Sequence, residues 1–195
     1  MTTPLSMTEL EAVNILLTTI GEAPINTLSG NQVVDVAVAK QVLNEVSREV
    51  QSQGWHFNRD TDVELSPDID GNITLATNIA RIDCDYIDVV VRSGRVFNKT
   101  EQTFVFTNKI KFTIVYYQDF LDLPDIAKRY ITIRASRVFS DRMINSDTIS
   151  QMVSRDEQRA LIDLKEYEGD TADYNMMDNY SVSRVMNRGF NRGVI

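Results

Sequence analysis

Apolar residues return every three or four positions at both ends of the chain, and every second position through its middle. The first spacing builds one face of a helix, the second one face of a strand. Near the N-terminus, Ser6-x-x-Glu9 fits a capping box, in which a hydroxyl and a carboxylate satisfy opposite unpaired amides. Leu10, Val13, Leu17 and Ile20 follow at helical spacing, and Gly21 supplies a left-handed stop. A turn-rich link from Ala23-Pro24 to Gly30-Asn31 leads to a second predicted helix over 33–53. Its stripe is Val36, Ala39, Leu43, Val46 and Val50, and Gly54 closes it.

From Trp55 to Leu121 the period changes. Asp70-Gly71 and Ser93-Gly94 are tight-turn signals between β-rich runs. Ile87, Val89 and Val91 alternate, as do Ile110, Phe112, Ile114 and Tyr116, which predicts four to six antiparallel strands. Helical spacing resumes at Pro124, suited to a first turn, with Asp125 complementing the helix dipole. Ile126, Tyr130, Ile131, Ile133, Ala135 and Val138 make a face broad enough for burial on two sides. After a break at Asn145-Ser146-Asp147, a last helix aligns Ile149, Val153, Ala160, Leu164 and Tyr167. Within it Arg159 is placed to meet Asp163, and Gly169 to fray the end.

These elements predict an α+β fold: a four-helix bundle formed by the N- and C-terminal helices, with a central antiparallel β insertion. The expected division is a helical bundle domain over 1–58 and 122–175, a β domain over 59–121, and an extended C-terminal arm over 176–195. The absence of βαβ alternation argues against a parallel nucleotide-binding sheet.

Composition narrows the function. With 195 residues, 43% hydrophobic and 25% charged, the chain can bury a core without covalent staples. A formal charge of −8 disfavours general binding to a phosphate backbone, which relies on Lys and Arg. The one cysteine, Cys84, excludes an intrachain disulfide and a Cys-based zinc site. Neither a signal peptide nor a membrane span is visible, so the expected setting is a reducing cytoplasm.

The search for chemistry comes back empty. His56 is the one possible base, and without a Gly-x-Ser-x-Gly it reads as a partly buried ring at a junction between lobes. The carboxylates flanking Cys84 are the wrong neighbours for a nucleophilic thiolate, so a small core residue is expected. Asp68 to Asn72 lacks the glycine and glutamate spacing of a calcium loop and reads as a hairpin turn. Twelve acidic residues between Asp60 and Asp125 leave a glycan hydrolase, working through a carboxylate pair, as the enzymatic alternative. No phosphate-binding loop is present, and no cofactor or metal is expected.

The C-terminal arm is locally basic, with Arg184, Arg188 and Arg192, and repeats Asn-Arg-Gly at 187–189 and 191–193. Val182, Val185, Met186, Phe190, Val194 and Ile195 make it apolar for a solvated tail. An arm that orders on a partner protein, a DNA contact through the arginines, and a frayed terminus all remain open.

Four stretches, in order, resemble the tail tubular protein A family, the adaptor or gatekeeper ring proteins of short-tailed podophages. They are Glu9 to Asn14 leading to Ile20-Gly21-Glu22-Ala23-Pro24; Val42-Leu43-Asn44 through Gln51 to Asn58; Leu123-Pro124 to Arg137; and Glu166-Tyr167-Glu168 to Met177. The resemblance omits the β centre, and the Arg-Gly repeats after Asn179 depart from it. It implies a non-enzymatic virion protein of the phage tail, assembled in the host cytoplasm as a homo-oligomeric ring, twelve-fold like the portal it docks on. The ring would join the portal protein to the tail nozzle (tubular protein B), with tail fibres as further partners and DNA passing through the lumen without specific binding. An acidic lumen would let the duplex slide. Gly21, Pro24, Gly54, Trp55 and Phe57 are then expected to shape the junctions. Arg134 and Arg137 are expected to line a subunit boundary, and Arg184, Arg188, Phe190 and Arg192 to contact a subunit or the portal.

Overall fold

A capping box does open the first helix, but two residues beyond the predicted one. In a computed structural model, which describes residues 6–29, 34–144 and 146–171, α1 runs Glu9–Thr19. Thr8 accepts the Glu11 amide through its hydroxyl, and the Glu11 carboxylate accepts the Thr8 amide at 2.7 Å. Ser6, expected to be the cap, instead donates to Asp125 at 2.6 Å and accepts from the Lys128 ammonium at 2.6 Å. At the other end Gly21 takes φ +85°, and the Gly21 and Glu22 amides return to Thr18 and Leu17 in a Schellman closure.

The second helix, α2, spans Val34–Gln51 and buries all five predicted stripe residues. Five strands follow: β1 (Arg59–Leu65), β2 (Ile79–Asp83), β3 (Val89–Arg92), β4 (Arg95–Asn98) and β5 (Ile110–Tyr116). They pair antiparallel, as a three-stranded sheet in the order β1-β5-β2 and a β3-β4 hairpin. Phe112 faces Val63 across one side of β5, and Ile114 faces Ile82 across the other. A bulge between Asp60 and Val63, with Asp62 at φ +58°, interrupts edge strand β1. Ser93-Gly94 closes the β3-β4 hairpin as expected, whereas Asp70-Gly71 turns a loop outside any strand pair.

The helices α3 (Asp125–Met143) and α4 (Asp147–Thr171) complete an α+β fold. Helix α3 packs against each of the other three, and its Ala127, Tyr130, Ile131, Ala135 and Phe139 are buried. Lys128, Thr132, Ser136 and Ser140 are buried too, a polar row at four-residue spacing that the apolar pattern could not show. Thr132 reaches Met7, and the Ser136 and Ser140 hydroxyls return to backbone carbonyls one turn earlier. Helix α4 rests on α3 through Ala160 and Leu164 and continues past Gly169, which therefore lies inside the helix. Arg159 sits beside Asp156, while Asp163 meets Arg129 of α3 at 3.6 Å, so the expected Arg159–Asp163 pair is replaced by a contact between helices.

Two apolar clusters result. One joins all four helices with Trp55 and Leu123, and the other gathers Ile73, Ile82, Val96, Phe106, Phe112 and Ile114 of the β region. Between them sits Gly54, at φ +79° with its Cα hydrogens against β5, where a Cβ would lie 2.9 Å from Val115 Cγ2. Gly21 shares the left-handed backbone but has open space around it. Gly21→Ala should therefore cost about 1 kcal/mol, the backbone penalty alone. Gly54→Ala should cost about 2–4 kcal/mol by adding a clash inside packed structure. Urea denaturation of the two variants checks the difference.

Candidate functional site

Where the chain passes between the two clusters, three side-chain amides do the joining. The Gln51 amide donates to the Gln118 carbonyl at 3.1 Å and accepts the Gln118 amide at 2.7 Å, so it pairs with that residue as a strand neighbour would. It also donates to Ser47 at 3.0 Å. Asn58 donates to the carbonyls of Gln51 and Tyr116, at 2.9 and 2.7 Å. Gln118 donates back to the Phe57 carbonyl at 3.0 Å. Gln51 and Asn58 are almost fully buried, which makes each bond costly to break without replacement. None of these amides was singled out in the sequence, and their one signal there was position, as polar residues at the ends of otherwise apolar elements.

Of the predicted junction residues, Gly54, Trp55 and Phe57 lie beside this lattice. Trp55 is buried in the helical cluster and its indole donates to the Val50 carbonyl at 2.8 Å, while Phe57 packs half-buried against the same cluster. His56, expected to be partly buried, is exposed. Its backbone amide donates to the Glu168 carboxylate, which ties the end of α4 to the junction. Gly21 and Pro24 lie in the link between α1 and α2. There the Asn14 amide holds Ile25 by both its N–H and its carbonyl, at 2.8 and 2.9 Å, a clamp the sequence reading missed.

A row of guanidinium groups on α3 binds its neighbours. Arg134 reaches Glu157 of α4 at 2.8 Å and Glu49 of α2 at 2.6 Å. Arg137 donates to the other oxygen of Glu157, and Arg142 grips Glu45 of α2 with two bonds of 2.8 and 2.9 Å. Arg134 and Arg137 thus bind carboxylates of their own chain. Burial works against the charge on Arg134, but its acidic partners outweigh it and raise the group's pKa. The Glu157 bond likewise raises Arg137. Arg184, Arg188, Phe190 and Arg192 fall outside the described residues.

The chemistry-bearing residues are not brought together. Cys84 is half-buried at the margin of the β cluster, short of the core position expected. The Asp68 carboxylate accepts the backbone amides of Asp70 and Asn72, so it serves the turn. A groove of about 600 Å³ in the β region holds Glu64 and Glu101, beside Tyr86, Val105 and Phe106. Hydrogen bonding and attraction from Lys109 hold Glu64 below the ordinary carboxyl range, opposite to what a proton donor to a glycosidic oxygen needs. Among the described residues no cluster of three metal-ligating side chains is found, and no helix is long and apolar enough to cross a membrane.

A family described as "Tail tubular protein" matches residues 10–174, a span that includes both apolar clusters. Tail tubular protein A of Klebsiella phage KP34 is 31% identical over 130 residues, covering 64% of this chain and 67% of that protein.

Two outcomes follow from the guanidinium row. The Glu157 side chain is 11% exposed and serves two arginines, so Glu157→Gln should cost about 2 kcal/mol by stranding part-buried charge. Urea midpoints read this directly. Glu45 is held low by its bonds from Arg142, and Asp125 by its bond from Ser6. Their stabilising contribution is complete above the ordinary carboxyl range, about 4, and is lost as pH falls through it toward the lower folded values. The urea midpoint should fall from pH 6 to pH 3, and fall less in Arg142→Ala.

Proposed function

Since the chain belongs to the tail tubular protein family, and so is a structural protein of a phage tail, we propose that it forms the adaptor ring between portal and tail nozzle. In this reading copies associate head to tail and close by rotation, twelve to a ring like the portal, and DNA passes through the lumen. The four helices act as one bundle and supply the lateral faces, with residues 59–121 as a separate β domain directed to the nozzle or fibres. Residues 176–195 form the arm that meets the portal, through Arg184, Arg188, Phe190 and Arg192. Arg134 and Arg137 serve the subunit boundary indirectly, by fixing α4 against α3 so that its outer face has one shape.

The observation that carries the reading is the family match over 10–174, through helices and strands alike. The outer face of α4 agrees with it: Met152 is 64% exposed and Ile162 55%, apolar groups that a neighbouring subunit would cover. The glycan-hydrolase alternative draws no support from the carboxylates described above.

Co-sedimentation with the portal ring of the same phage tests the proposal. Saturation near one chain per portal subunit is the expected result, with loss of binding on deleting 179–195 if the arm contributes. No binding to an intact portal ring would overturn the adaptor reading.

A further inference from the structure

The β3-β4 hairpin ends in an arrangement that is unfavourable for an isolated chain. Arg92 and Arg95 are directly opposite each other in the strand register, flanking the Ser93-Gly94 turn. Like charges placed so are destabilising. Neither guanidinium meets a carboxylate among the described residues, although the chain has 28 acidic side chains. Each is instead laid on an aromatic ring: Arg92 lies 4.0 Å from the centre of Phe97, and Arg95 4.5 Å from that of Phe104. The two rings are themselves stacked edge to face at 4.8 Å. Arg95 is further oriented by Asn72, whose side-chain oxygen accepts at 3.0 Å. Stacking leaves the N–H edge of a guanidinium available, and that edge matches the fork of a carboxylate.

The end of α4 has the opposite problem. Its last two described turns carry Glu166, Glu168 and Asp170 against Lys165, an excess of negative charge. Glu166 and Asp170 stand four residues apart, both exposed, and neither makes an ion pair among the described residues. No ion pair joins the hairpin tip to this helix end within one copy.

Subunits of charge −8 repel one another, so a ring of them needs local charge complementarity at each boundary. Resting on the ring reading above, we infer that the Arg92–Arg95 tip is a carboxylate-recognition element, and that it takes Glu166 and Asp170 of α4 in the adjacent copy. The contact is head to tail, since tip and helix end are different surfaces, and each supplies the charge the other lacks; it adds the β3-β4 tip to the helical lateral faces proposed above, while the rest of the β domain faces the nozzle or fibres. Arg92 and Arg95 are positioned by Phe97 and Phe104, which hold the two prongs ready.

Assembly of the full chain on the portal ring, read by sedimentation, tests this. Arg92→Glu with Arg95→Glu should weaken assembly about tenfold or more, and so should Glu166→Arg with Asp170→Arg. The chain carrying all four reversals should recover, which misfolding would not allow. Assembly by every variant at the wild-type level would overturn the inference and leave the ring reading intact. A loss that the four-fold reversal does not mend would also overturn it, and duplex DNA binding dependent on the same arginines would assign the tip to DNA. If the wild-type chain itself fails to assemble, the ring reading falls and the inference with it.

Discussion

The pairing of Gln51 with the backbone of Gln118 is the constraint on which the rest of the structure depends. The chain leaves the helices after α2 and returns to them after β5, and at these crossings Gln51 and Asn58 are almost fully buried, with Gln118 half-buried beside them. Backbone groups there must find partners, because an unpaired buried amide costs about 1–3 kcal/mol. Gln51 offers both a donor and an acceptor to one residue just past β5, and Asn58 and Gln118 donate to the carbonyls of Gln51, Tyr116 and Phe57. Helix and sheet are thereby joined by directional bonds, where apolar contact alone would let them slide.

Much of the neighbouring structure follows from that join. Gly54 has no side chain because β5 comes too close for one, and its left-handed backbone turns Trp55 into the helical cluster. With α2 and β5 fixed, α3 enters the helical layer in one orientation, and its arginines then hold α2 and α4 at set positions. In the ring proposed above, such rigidity would keep a small error in angle from accumulating with each copy.

Periodicity in the sequence was enough to find all four helices, the antiparallel character of the centre and the buried stripe of α2. It also placed Gly54 and Trp55 at the crossing. What escaped it were features that depend on partners distant in sequence. Ser6 and Thr8 both carry a hydroxyl followed three residues later by Glu, and only the positions of Asp125 and Lys128 decide which of them caps. The polar row from Lys128 to Ser140 reads as a solvated face until α1 and the N-terminal segment are seen to cover it. Arg159 found Asp156 because Asp163 is drawn to Arg129 on the facing helix. The amide lattice left no pattern beyond position, since a glutamine at a helix end is ordinary until its partner 67 residues away is known.

The most direct test of that central join is Gln51→Leu, followed by hydrogen exchange along a urea series with Trp55 fluorescence as a second probe. Leucine keeps the volume but strands both backbone groups of Gln118. The account predicts a loss of about 2–3 kcal/mol, early exchange of the Gln118 amide, and helices and strands opening at separate urea concentrations. A variant that unfolds in one transition at the wild-type midpoint, with Gln118 still protected, would contradict it.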